Sequence, residues 1–183
     1  MIVTREDWEG KFGDAYTDRN RDISGRSEFW NALIHRHGVT SILEVGCGTG
    51  ANLHGLDVPA MGVDVNQKAL DMVPRSIPTR RAAAAHLPYQ RNHFDMVTTF
   101  GVLIHIPPDG IERAMEEIAR VARRFVFCGE YLGSDEIPYR GGVLWRREYG
   151  ALYEDMGLEC IESGILEGEP WDKGRVDWWL LRA

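Results

Sequence analysis

Between Ser41 and Asn52 the chain reads SILEVGCGTGAN, an apolar stretch running into three alternating glycines, Gly46, Gly48 and Gly50. Glycines at the end of a strand let the backbone turn sharply and approach a ligand with no Cβ in the way. A helix after such a turn adds unpaired N–H groups and a partial positive charge, suited to a phosphate or a carboxylate. Two acidic residues flank the turn. Asp64, in MGVDVN, stands where a carboxylate can accept hydrogen bonds from both hydroxyls of a ribose. Glu44 lies in a strand that should be buried, so it needs a donor or a cation to offset its desolvation. The chemistry on offer is nucleotide binding. Which nucleotide is open at this point, because Gly46-x-Gly48-x-x-Ala51 also fits the dinucleotide pattern G-x-G-x-x-G/A.

The elements that must position these residues follow from periodicity. Thr4 to Asn20 opens near a capping box, Thr4-x-x-Asp7, and places Trp8, Phe12 and Tyr16 on one helical face. A second helix begins at Ser24, turns Phe29, Trp30, Leu33, Ile34 and His37 to one side, and ends at Gly38. From there strands and helices alternate. Ile42 to Val45 is a strand and Ala51 to Leu56 a short helix; Met61 to Val65 is a strand and Asn66 to Val73 a helix. A weak strand lies near Thr79 to Ala83, and a stronger one at Phe94 to Phe100. Asp109-x-x-Glu112 reads as a capping box that starts a helix with Ile111, Ala114, Met115, Ile118 and Ala122 on one face. Phe125 to Glu130 is the next strand. Such repeats imply a parallel sheet with helices on both faces. The end differs: Trp145, Tyr149, Leu152, Tyr153 and Met156 fit a helix closed by Gly157. Leu158 to Leu166 and Val176 to Arg182 are then strands joined by a loop alone, hence antiparallel.

Composition narrows the partners. The chain has 183 residues, enough for one domain, with a formal net charge of -7 and no long block of one sign. That argues against a nucleic-acid backbone as main partner, since such proteins usually carry a basic face. The three cysteines, Cys47, Cys128 and Cys160, include no C-x-x-C pair and are expected as reduced thiols in the cytoplasm. No stretch approaches the roughly 20 apolar residues of a membrane span, and the polar N-terminus does not read as a signal peptide. No metal site is expected from the scattered histidines and cysteines, and Gly-x-Ser-x-Gly is absent.

Several ordered motifs carry a resemblance. Glu44-Val-Gly-Cys-Gly-Thr-Gly50, Gly62-Val-Asp64, Ala84-Ala-His-Leu-Pro-Tyr89, Phe94-Asp95 and Gly101-Val-Leu-Ile-His105-Ile-Pro107 resemble those of the class I S-adenosylmethionine-dependent methyltransferases. The resemblance implies a Rossmann-like, doubly wound α/β fold: a mostly parallel seven-stranded sheet with an antiparallel last strand, plus N-terminal helices. The domain divides into an N-terminal helical cap (1–38), a cofactor-binding core (39–131) and a substrate loop with the final hairpin (132–183). The ends, Phe12-Gly-Asp-Ala-Tyr16-Thr-Asp-Arg19-Asn20 and Asp177-Trp-Trp-Leu-Leu181, resemble small methylases associated with pseudaminic acid biosynthesis.

By that resemblance Glu44, Gly46, Cys47, Gly48 and Gly50 would cradle the methionine part and sugar of S-adenosylmethionine. Asp64 would hold the ribose, and Val65 would lie against the adenine. Many members carry an acidic residue where this chain has Ala83, so adenine is expected to meet backbone groups near Ala84 and His86. Phe100 and Gly101 would face the methionine amine. Tyr16 and Arg19 would close over the cofactor, Arg19 meeting its carboxylate or remaining a solvated charge.

Acceptor chemistry should sit at the C-terminal ends of the strands. His105 is the first candidate base, with a structural histidine as the alternative; Glu130 and Tyr131 are next, Glu130 equally able to anchor a loop. The long 132–144 loop offers Tyr139 and Arg140 to a small hydrophilic substrate, and Trp171 a further wall. Without a separate recognition domain, a small, polar acceptor is expected; the resemblance of the ends implies that it is sugar-related, and a monomer or weak dimer is expected. A non-catalytic cofactor-binding domain stays open. A nicotinamide-dependent oxidoreductase fits less well, since no Tyr-x-x-x-Lys dyad is present.

Overall fold

The computed structural model describes residues 4–20, 25–133, 135–139, 142–171 and 175–183. Its centre is a seven-stranded sheet of order β3-β2-β1-β4-β5-β9-β8. The strands are β1 (Ile42–Val45), β2 (Ala60–Asp64), β3 (Thr79–Arg81), β4 (Phe94–Phe100), β5 (Ala122–Glu130), β8 (Glu159–Leu166) and β9 (Val176–Arg182). β1 to β5 pair in parallel; β9 runs antiparallel to both of its neighbours.

The two-residue period of the strands sorts their side chains onto two cores. Leu43, Val45, Val97, Val126 and Leu181 point to one face, with Met115, Ile118, Tyr149 and Tyr153 from the helices that cover it. Ile42, Met96, Phe127, Trp178 and Leu180 point to the other, with Trp30, Leu33 and Ile34. All of these are buried, as a parallel sheet covered on both faces requires. The covering helices are α3 (Ser27–His37) on one side, α5 (Ile111–Val121) and α6 (Tyr149–Asp155) on the other. Gly38 ends α3 in the left-handed conformation, φ 59°, where only glycine is free of strain.

Five local expectations need correction. The first helix is two, α1 (Arg5–Glu9) and α2 (Lys11–Arg19), broken at Gly10. The Thr4–Asp7 capping box is present, and the aromatic stripe survives the break: Trp8 lies 5.0 Å from Phe12 and 5.1 Å from Tyr16. Ala51 to Leu56 forms consecutive turns, not a helix. Left-handed Gly50 and Gly55 bound it, leaving room for one closed turn, His54 N–H to Gly50 C=O at 3.1 Å. The α5 helix begins after Gly110, one residue later than a cap at Asp109 demands, so no Asp109–Glu112 box forms. Trp145 belongs to a strand, and α6 starts at Tyr149. Within 132–144, β6 (Glu136–Tyr139) and β7 (Gly142–Trp145) form an antiparallel hairpin where a plain loop was expected.

Candidate functional site

The sheet order reverses between β1 and β4, and the strands on either side end next to each other. Open α/β sheets bind ligands at such a switch point. The sequence places a glycine beyond each end. Gly48, after β1, and Gly101, after β4, both have positive φ (52° and 64°), and a Cβ built on either would meet nothing within 4 Å. The backbone there borders open space. Gly46 is different: a Cβ would come within 2.4 Å of Val102 Cγ2, so this glycine brings the two turns together.

Asp64, at the end of β2, braces the turn. Its Oδ2 accepts from Gly48 N–H at 2.9 Å and its Oδ1 from Asn66 N–H at 2.8 Å. Burial pushes its pKa up against the pull of these N–H groups. Asn66 in turn caps α4 (Gln67–Met72), accepting from Ala69 N–H at 2.8 Å, and donates to Trp8 C=O and Asp14 Oδ1 at 3.0 Å each. One residue thus ties the cavity floor to the N-terminal helices.

The cavity so formed has a volume of about 580 Å³. Gly46, Gly48, Asp64 and Val65 form its floor. Ala82 to Ala85 form one wall, Phe100 to Val102 with His105 another. Trp8, Gly13, Tyr16 and Thr17 roof it. The His105 ring lies 4.5 Å from that of Trp8, and burial lowers its pKa to about 4, so the imidazole is neutral near pH 7.

Glu44 sits behind the turn, 1% exposed. Its Oε1 accepts from Asn52 Nδ2 at 2.6 Å, and its Oε2 is buried with no partner among the described residues. Burial pushes its pKa up to about 8. Arg26 Nη1 donates to Asn52 Oδ1 at 3.1 Å, while its guanidinium packs 5.5 Å from the Phe100 ring and 5.3 Å from that of Trp171. Sequence reasoning missed both Arg26 and Asn52. Asn52 stood inside the glycine-rich stretch, where a short amide beside a buried carboxylate was the available signal; Arg26 had none.

Residues 43–126 match the family model described as a methyltransferase domain. No curated protein sequence matches the chain. Among solved structures, magnesium protoporphyrin IX methyltransferase from Synechocystis PCC 6803 with bound S-adenosylmethionine superposes with a TM-score of 0.73 at 15% identity, covering 98% of this chain and 95% of that one. A possible histamine N-methyltransferase from Thermotoga maritima gives 0.69 at 17% identity, covering 98% and 99%. The 1,6-didemethyltoxoflavin-N1-methyltransferase of Burkholderia thailandensis gives 0.74 at 15% identity, covering 98% and 87%. The fold is the one these methyltransferases share, and the methyltransferase-domain match spans its glycine turn and Asp64.

The cavity fits S-adenosylmethionine, the molecule bound in the Synechocystis structure. Gly48 and Gly101 open onto it, Asp64 keeps lone pairs that ribose hydroxyls would use, and the unpartnered oxygen of Glu44 would be stabilised by a cationic ligand nearby. The alanine wall supplies backbone groups and no acidic side chain where many relatives have one.

Of the residues singled out in the sequence, Tyr16, Gly46, Gly48, Asp64, Val65, Ala84, Phe100, Gly101 and His105 line this cavity. Others stand apart. Arg19 is exposed at the end of α2 and does not line it. Cys47 is buried against Gly62 on the far side of the turn, where burial holds its thiol well above the usual range. Gly50 packs against Val73. The His86 side chain is exposed, its N–H bonded to Ala83 C=O at 2.9 Å. Tyr131 is half-buried against both cores. Trp171 packs 5.3 Å from Phe100, behind the cavity wall. Arg140 and the side chain of Tyr139 lie outside the described residues.

Glu130 cannot serve as a base at the cavity. It is wholly buried, and its carboxylate accepts from the N–H groups of Val102 and Leu103 at 2.8 Å each and of Ile104 at 3.4 Å. Three of its roughly four lone-pair sites are taken by the turn after β4. Among the described residues no group of three or more His, Cys, Asp or Glu could hold a metal ion.

Proposed function

We propose that this methyltransferase moves the methyl group of S-adenosylmethionine to an oxygen or nitrogen of a small, polar, sugar-related metabolite. The observation that carries this reading is the roof. Trp8, Gly13, Tyr16 and Thr17 close over the cavity from the N-terminal helices, which favours a compact acceptor over the broad surface of a macromolecule. The resemblance of both chain ends to methylases associated with pseudaminic acid biosynthesis supports a sugar-like acceptor.

S-adenosylmethionine supplies a methyl group already activated by the positive charge on its sulfur. The protein has to align an acceptor and exclude water. The glycine turns let the backbone approach closely, Asp64 holds the ribose, and the aromatic roof keeps solvent out. His105 faces the same space. A general base works best with a pKa near the operating pH, and a histidine at about 4 is far below it. Its role is therefore to accept a hydrogen bond from an acceptor hydroxyl or amine and orient it; the acceptor's proton passes to solvent when the roof opens and the methylated product leaves.

Calorimetric titration with S-adenosylhomocysteine and with NAD, followed by mass analysis of products from a panel of amino sugars, sugar acids and simple amines, tests the proposal. Binding of S-adenosylhomocysteine and methylation of a sugar support it. Methylation confined to proteins or RNA overturns the acceptor class, and binding of NAD alone overturns the whole reading.

A further inference from the structure

Two ionisable side chains outside the cavity, buried Glu130 and half-buried Arg147, grip one short segment. After β4 the chain makes a 3-10 turn, Leu103–His105, before Pro107. Glu130, at the end of β5, accepts from the N–H groups of Val102, Leu103 and Ile104. From the connection between β7 and α6, Arg147 donates to the carbonyl oxygens: Nη1 to Leu103 at 3.3 Å and Nη2 to Ile106 at 2.9 Å. The arginine is itself held. Its Nη1 also donates to Trp145 C=O at 3.3 Å and to Tyr149 Oη at 3.2 Å, and that hydroxyl donates to Trp145 C=O at 2.6 Å. Tyr149 is completely buried.

Burying a carboxylate is costly, and a turn of this length needs no formal charges to exist. The expense makes sense if the segment must keep one conformation. It has reason to: Gly101, Val102, His105 and Ile106 line the cavity, and the His105 ring packs against Trp8. Within this segment, the N–H groups held by Glu130 and the carbonyls held by Arg147 all lie within three residues of His105. Neither charged residue lines the cavity.

We infer that Glu130 and Arg147 are positioning residues: an anion on the N–H side and a cation on the C=O side clamp the 102–106 segment and thereby fix His105 in the cavity. The functional part of this inference rests on the cavity being the methyl-transfer site; the clamp itself does not.

The test uses Arg147→Lys, which keeps the charge but cannot span both carbonyls, and Glu130→Gln, which keeps the shape and one acceptor. In ligand-free protein with labelled histidine, the NMR titration of the His105 ring should move up from about 4 by at least about one pH unit toward the usual 6.5 in both variants, as the loosened ring meets water. At the pH where His105 titrates, Glu130, raised by burial to about 7, is already neutral, so Glu130→Gln removes no charge there and an upward move reports repositioning. Affinity for S-adenosylhomocysteine should fall at least about fivefold in both, as the loosened turn no longer holds the Gly101 and Val102 backbone at the cavity. An unchanged titration or an unchanged affinity in a folded variant would overturn the clamp. If Arg147→Lys does not fold, Glu130→Gln decides by the same readings. Wild-type protein that ignores S-adenosylhomocysteine would sink the methyl-transfer reading while leaving the titration to judge the clamp.

Discussion

Asn52 Nδ2 donates to Glu44 Oε1 at 2.6 Å, and this is the bond that keeps a buried carboxylate in place directly beneath the glycine turn. Removing the amide leaves the carboxylate with two unpartnered oxygens. Asn52→Ala is expected to destabilise the protein by about 1–3 kcal/mol and to weaken S-adenosylhomocysteine, read by denaturant unfolding and calorimetry. A variant as stable as wild type would show that Glu44 finds another donor.

The same carboxylate sets a pH dependence. Glu44 and Glu130 both have pKa values raised by burial, to about 8 and about 7 from 4.5. A raised folded-state value means their contribution is full below the unfolded pKa and is lost as pH rises through the folded one. His105 acts oppositely, its lowered value costing stability as pH falls from 6.5 toward about 4. Ligand-free protein should therefore lose stability from about pH 6.5 to pH 8, by up to roughly 1.4 kcal/mol per pH unit for each acid. Glu44→Gln should flatten that arm. A melting temperature that stays level, or climbs, across this window refutes the assignment.

Gly48 separates backbone strain from occlusion. Its φ of 52° makes Gly48→Ala cost about 1–2 kcal/mol, yet nothing in the protein obstructs the added methyl. The expected outcome is a folded variant whose loss of affinity for S-adenosylhomocysteine exceeds what its small drop in melting temperature suggests. Gly46→Ala, by contrast, collides with Val102 and should damage folding first.

The two arginines make a paired test. Arg19 is exposed and off the cavity, so Arg19→Ala should leave S-adenosylhomocysteine affinity within about twofold. Arg26 orients Asn52 and packs between Phe100 and Trp171, so Arg26→Ala should lower it at least about fivefold. The reverse ranking would restore Arg19 as the cofactor contact.

Asp64→Ala should weaken S-adenosylhomocysteine by about an order of magnitude or more, because it removes both the ribose acceptor and the brace on Gly48 N–H. Asp64→Asn separates the roles, since its one remaining carbonyl oxygen can keep Gly48 but not ribose as well. Equal affinity in both variants and wild type would remove Asp64 from the binding site.

What the amino-acid sequence determined by itself is local and periodic. Apolar runs of period two and helical faces of period 3.6 encode the alternation of strands and helices, hence the doubly wound sheet with its antiparallel final strand. Glycines that only a turn would tolerate, with Asp64 after the next strand, encode the nucleotide-binding end of that sheet. The errors fall where distant partners override local preference. Left-handed glycines at 50 and 55 bound a stretch that composition reads as helix. Glu130 looked like a base because it ends a strand beside the site. Arg26, 26 residues before Asn52, carried no periodic signal at all. Only the tertiary structure decided that Glu130 faces backbone N–H groups, that Arg26 and not Arg19 stands beside the turn, and that His105 is desolvated by Trp8. A side chain's charge state and orientation depend on what the folded chain places around it, and no spacing along one strand records that.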